Sequence, residues 1–227
     1  MLCLYLQAPF ATFRTFMVGS FRTTAGFITP SAAYGLLLNA AGIEMREDDG
    51  KSPMTQIKRG LPMVKIAIGA LEFPLRHSLL QQIHNYPIGT TGSEHADDTK
   101  GNKYNVLPAN REFLSNIRAY ILMDGNQELE RRVQEGLDGN ETRSYGLLFL
   151  GDNNFLIDRF EHVERPDPAY WFEKIEEDQE GMKEGITRLT ITIDRSDASK
   201  TRTMLFAPIR DKENYPTQKA WVEVNYP

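Results

Sequence analysis

From Leu2 to Ala8 the chain is apolar and alternating, which predicts a first strand. Residues 9–29 lose that period. They mix rings, threonines and glycines, and read as a long irregular connection. Thr29-Pro30-Ser31 then signals a helix start, with a hydroxyl as cap and proline at the first helical position. The helix "SAAYGLLLNAAG" follows and closes at Gly42. Gly35 inside it costs about 1 kcal/mol relative to alanine and points to a close approach of backbone or ligand. "EMREDDGKSP" is a solvated turn, and "MVKIAIGALEF" is a second strand. His77 to Asn85 fits a strand or a short helix. "YPIGTTGSEHADDTKGNKYNVLP" shows little periodicity, as a functional insertion or a mobile arm would. "NIRAYILMD" is a third strand. "NQELERRVQEGLDG" is an amphipathic helix, with Leu129, Val133 and Leu137 at four-residue spacing. "YGLLFLG" is a fourth strand, Asp152-Asn153-Asn154 a tight turn, and "FLIDRFEHV" a continuing strand.

Residues 1–165 thus follow a β-α-β-β-α-β order. That order predicts an α+β, ferredoxin-like (RRM-like) sandwich with an insertion at about 74–110. Residues 166–227 add "ITRLTITID", "RTMLFAP" and "AWVEVNY", a β-rich extension of the same domain. Such a sandwich names no function by itself. The first strand lacks the aromatic signature of ordinary RRM sheet binding, so binding there is not expected.

Composition narrows the field modestly. The net charge is −5, opposite in sign to most proteins that grip nucleic acid nonspecifically. A local basic groove remains compatible with it. Cys3 is the single cysteine, so no internal disulfide and no cysteine zinc site is possible. No run approaches 18 apolar residues, and a soluble, cytoplasmic protein without membrane association is expected.

The stretch from Phe10 to Ser31 carries the most chemistry. Arg14 and Arg22 lie among Phe10, Phe13, Phe16, Phe21 and Phe27. Cations on phosphates and rings under bases are how single-stranded RNA is held. Thr23 and Thr24 offer hydroxyls, and the helix start at Thr29 to Ser31 offers backbone N–H groups for a phosphate. The competing reading places the rings in the core and pairs the arginines with surface acids. Lys100, Lys103 and Arg111 sit in the insertion, with Arg76 and His77 at its root. This is a thumb over a strand or a solvated loop. Lys58 and Arg59, with Lys51 and Lys65, form a small basic patch. Arg131 and Arg132 read as solvation of a helix face. No H-E-x-x-H, phosphate-loop or nucleophile-elbow motif occurs, and neither metal nor cofactor is expected. Metal-independent RNA cleavage would need an acid/base pair such as Tyr34 with His77 or His84.

"APFATFR", then "TPSAAYGLLLNAAG", resembles the fifth CRISPR-associated protein family, and "YGLLFLGDNNFLID" resembles its later strand, glycine turn and strand. The resemblance is nearest to type I-B-like members. It implies an RRM-like fold of the repeat-associated RNA-binding superfamily (RAMP). It also implies a place at the foot of the type I effector complex, Cascade. There the subunit would bind the crRNA 5′ handle and contact the large and backbone subunits. Target DNA would be met only through the complex. On this resemblance residues 74–108 form an inserted β-hairpin thumb, and Arg14, Arg22 and Thr29 to Ser31 face the handle. Type I-C members cut repeat RNA with a tyrosine and a Lys-His pair. This chain has no Lys-His dipeptide, so binding without cleavage is implied. Repeat-RNA endoribonuclease and RNA-free scaffold are the alternatives.

Overall fold

The computed structural model describes residues 1–15, 21–48, 50, 55–87, 104–141, 146–175 and 184–226. The elements in chain order are β1 (Leu2–Ala11), β2 (Phe21–Arg22), α1 (Pro30–Ala40), β3 (Arg46–Glu47), β4 (Gln56–Ile57), β5 (Val64–Ala70), β6 (Leu75–Pro87), β7 (Tyr104–Asp124), α2 (Gln127–Leu137), β8 (Arg159–His162), β9 (Tyr170–Lys174), β10 (Thr187–Thr192), β11 (Arg202–Pro208) and β12 (Val222–Val224).

Among the described residues the result is a mixed fold, mostly antiparallel sheet with two α-helices. The main path runs β10-β11-β9-β5-β7-β1-β8. β12 pairs with β5, β6 pairs with β7, and the short β2 lies parallel to β7. β3 and β4 form a separate ribbon.

Alternation in β1 sorts its side chains to two faces. Leu2, Leu4 and Leu6 enter the main core with Leu37, Ile66, Ile121 and Val133. Cys3 joins a second core with Ala67, Leu122 and Trp171, against which Tyr5 packs. The two helices serve the main core differently. α1 is buried nearly all round, as Ala, Tyr and Leu throughout its length require. α2 buries only Leu129 and Val133 and leaves its charged face to water. Thr29 caps α1 by accepting from the Ala32 N–H at 3.2 Å. At the other end the Gly42 N–H reaches the Asn39 carbonyl (3.1 Å) and the Ile43 N–H the Leu38 carbonyl (2.8 Å). That Schellman pattern needs a positive φ, and Gly42 has φ 67°.

Several expectations change. Gly35 makes no close approach: a Cβ there would meet only Met45 Sδ at 3.8 Å, an ordinary contact. The tight helix contact is at Gly136, where a Cβ would lie 1.7 Å from the Ala40 carbonyl oxygen. Arg132 is not mere solvation, because it donates to the Ala41 carbonyl at 2.8 Å and closes the end of α1. His77 to Asn85 is strand, within β6. From Gly146 on, the run "YGLLFLG" is no strand of the sheet, and Tyr145 lies outside the described residues. Phe149 and Leu156 form one isolated bridge around the Asp152 turn, and the sheet's edge is β8, further on.

Candidate nucleic-acid interface

The end of β1 carries the chain out of the sheet into Thr12, Phe13 and Arg14. There it is met by the returning segment. Arg14 and Thr24 form an antiparallel bridge. The Phe13 N–H donates to Thr24 Oγ1 at 2.9 Å, and the Ala25 N–H donates to the Phe13 carbonyl at 2.8 Å. Thr15 and Thr23 pair through their hydroxyls. The parallel register of β2 on β7 then sets Arg22 opposite Arg111.

Three arginines consequently share one place. Loss of water around Arg14 lowers its pKa, and the charges of Arg111 and Arg22 lower it further, with Asp152 acting against them. Arg111 donates to Asp152, and both side chains are only 13% exposed. Beside them Arg76 donates to Glu112 Oε2 at 3.1 Å, and the same oxygen accepts the Thr24 N–H at 3.1 Å. Four guanidinium groups thus face two carboxylates.

Rings border the arginines. The Arg111 guanidinium lies 5.8 Å from the Phe155 centroid. Phe155 neighbours Phe10 and Phe113 at 5.9 and 6.0 Å. Phe113 is edge-on to Phe10 at 5.6 Å and stacked on His77 at 5.1 Å. His77 Nε2 lies 2.7 Å from Ser115 Oγ. Phe10 is 43% exposed, so the ring cluster beside the cations reaches the surface there.

The first 200 residues match the model of the family described as CRISPR-associated protein (Cas_Cas5). The chain belongs to that family. No curated protein matches it in sequence. A solved structure titled "CRISPR RNA-guided surveillance complex" has a similar chain, with a TM-score of 0.59 at 11% identity, over 96% of this chain and 95% of that one. Another, titled "Crystal structure of Cas protein", gives a TM-score of 0.44 at 16% identity, over 96% of each chain.

In this CRISPR-associated protein the residues singled out from sequence divide into groups. Arg14, Arg22, Thr23, Thr24, Arg76, His77 and Arg111 come together. Arg111 stands at the root of the β6–β7 hairpin rather than on an outlying thumb. Thr29 and Ser31 do not join them. They are 4% and 7% exposed, and their hydroxyls bond each other at 3.0 Å. The start of α1 lies inside the core, and its threonine is occupied as a cap, so it presents no open phosphate site. Lys58 and Arg59 are also apart. They precede β5, which begins opposite Asp124 of β7, whereas β1 reaches Arg14 beyond Leu114, toward the other end of β7. Lys100, Lys103, Phe16 and Lys51 lie outside the described residues. Phe13 and Phe27 are core, as the competing reading has it, while Phe10 and Phe21 are not. Tyr34 is buried and donates its hydroxyl to the Pro62 carbonyl at 2.7 Å, and burial pushes its pKa up. It is closed off from an RNA phosphate. Among the described residues no three His, Cys, Asp or Glu side chains group as a metal would require. Among them, too, no helix is long and apolar enough to cross a membrane.

Sequence reading overlooked Asp152, Glu112, Phe113 and Phe155. Asp152 looks like plain turn chemistry, and it does accept the Asn154 N–H at 3.0 Å. Burial disfavours its charge. The Asn154 N–H, the Arg111 hydrogen bond and the nearby arginine charges outweigh burial, and Asp152 titrates below the ordinary aspartate range. A depressed folded-state pKa stabilises the fold above the unfolded value of about 3.9. That stabilisation is lost as pH falls through the depressed value. Thermal melts of wild type and Asp152→Asn from pH 5 to 3 should show the wild type losing more stability. Parallel curves would remove Asp152 from the acid response.

Proposed function

We propose that this chain is the non-catalytic crRNA-binding subunit of a type I CRISPR effector complex, capping the 5′ handle and joining the large and backbone subunits. The observation that carries the reading is the meeting of Arg14, Arg22 and Arg111 beside the ring cluster of Phe10, Phe113 and Phe155, of which Phe10 is open to solvent. Guanidinium forks suit phosphate oxygens, and rings accept unstacked bases. Family membership supports the reading, as does the likeness to a chain of an RNA-guided surveillance complex. We read β5-β7-β1-β8, with α1 and α2 against the main core, as the ferredoxin-like arrangement, and the β6–β7 hairpin as the thumb. The acid balance of the whole chain suits a subunit that shares RNA with more basic partners.

The test mixes the purified chain with labelled full-length repeat RNA in EDTA. Bound, uncut RNA that keeps its 5′ handle is expected. Arg14→Ala should weaken binding and make the salt slope shallower by about 0.7–1, the loss of one phosphate contact. Unchanged affinity and slope would remove Arg14 from the interface. A discrete cut just upstream of the handle would overturn the non-catalytic assignment.

A further inference from the structure

Next to the arginine cluster a groove of about 1000 Å³ opens between the start of β6 and the strands β9 to β11. That is the upper end of the usual range for ligand clefts. One side is a ring stack. Phe73 and Tyr170 lie 4.9 Å apart and 22° from parallel. Lys212 Nζ stands 5.2 Å from the Tyr170 centroid. Phe73 is 50% exposed although its other face is covered, so one ring face remains open to the groove. Arg76 and Arg210 line the same groove, while Glu173 and Glu184 border it elsewhere. Glu173 already accepts the Thr217 hydroxyl at 2.6 Å.

The groove is continuous with the arginine site. Arg76 both lines it and donates to Glu112, the carboxylate that holds the Thr24 backbone. Gly26 forms part of the wall between them, its N–H donating to Thr187 Oγ1 at 3.2 Å. A Cβ at Gly26 would press on Thr187 Oγ1 at 3.0 Å and approach Arg76 Nη2 at 3.7 Å.

Resting on the proposed RNA-binding role, we infer that this groove takes an unpaired nucleotide of the same single strand. Its base stacks on the open face of Phe73, and its phosphate lies toward Arg76 and Arg210. An open ring face backed by a second ring, with two arginines lining the same groove, matches what a base and its phosphate require. An apolar peptide would need none of these cations.

The test uses the purified chain and short single-stranded repeat RNAs carrying 2-aminopurine at successive positions, because stacking quenches that base. Wild type, Phe73→Ala, Phe73→Trp and Arg14→Ala are compared, with circular dichroism checking that each is folded. One RNA position should be quenched in wild type and in Phe73→Trp. Phe73→Ala should lose that quench and bind five- to tenfold or more weakly. Arg14→Ala should weaken binding while keeping the quench. If Phe73→Ala binds and quenches like wild type while Arg14→Ala weakens, the groove is off the RNA path and only the arginine reading stands. If Phe73→Ala weakens assembly with protein subunits but leaves RNA binding intact, the groove is a protein site and the inference falls. If wild type binds no RNA at all, both fall.

Discussion

Trp171→Ala is expected to lower the free energy of unfolding by about 3–5 kcal/mol, the range for removing a large buried aromatic. Trp171 is wholly buried, and the backbone has been shaped to it. It stands opposite Gly69 on β5, where a Cβ would come within 2.8 Å of the indole ring. Glycine is therefore required there by close approach, and an alanine on β9 would leave the cavity open on that side. The indole Nε1–H donates to the Glu213 carbonyl at 2.8 Å, so truncation also removes that hydrogen bond and leaves the carbonyl to the Ala169 N–H alone. β9 is the strand that ties β10 and β11 to the rest of the sheet. Domains are stable by only about 5–15 kcal/mol, so about a fifth or more of the total would go. Urea denaturation measures it. A loss under about 1 kcal/mol would show that the second core contributes little and that the C-terminal strands are held by other contacts.

The second large effect joins stability to the site. Gly151 has φ 77°, and a Cβ there would lie 1.6 Å from the Thr12 carbonyl oxygen. Thr12 is pinned in turn, since its N–H donates to the Leu150 carbonyl at 3.0 Å. Gly151→Ala therefore incurs a left-handed backbone, about 1–2 kcal/mol, and a collision with main chain, about 1–3 kcal/mol. A total near 3 kcal/mol corresponds to a melting point lower by about 6–12 °C in a chain of this size. The turn carries Asp152 and Phe155, so Arg111 should lose both neighbours together and RNA affinity should fall with stability. Gly146→Ala is the control, because nothing lies within 4 Å of its Cβ position. A Gly151→Ala protein that melts like wild type would mean that the turn moves freely, and the ordered Arg111–Asp152 pair would lose its support.

How much was legible varies with the range of the interaction. Thr29, Pro30 and Gly42 mark α1 correctly because capping is decided within four or five residues. β1 is legible because one of its faces is buried in each of two cores and the side chains alternate. The β6–β7 hairpin is only partly legible: His77 to Asn85 fits a strand or a short helix, and the start of β7 shows little period, although its second half reads as strand. Arg76 to Leu80 are exposed on both faces, so no buried side imposes a period of two. β9 escaped for the opposite reason: Tyr170-Trp171-Phe172 is covered on both faces and does not alternate. The run Leu147 to Leu150 is apolar, yet only Leu150 is fully buried, and the pattern suggested a strand where the chain makes a turn.

The same division holds for the site. The sequence by itself determined the two helices, the first strand and the placing of Arg14 and Arg22 among rings. Each of these depends on neighbours a few residues away. Tertiary structure alone decided that Arg111 and Asp152 join those arginines, because strand register brings together positions nearly ninety and more residues apart. It alone also decided that Thr29 and Ser31 face the core. A capping pattern specifies which N–H groups are satisfied locally, and only the packing of the whole domain specifies which way the end of the helix points.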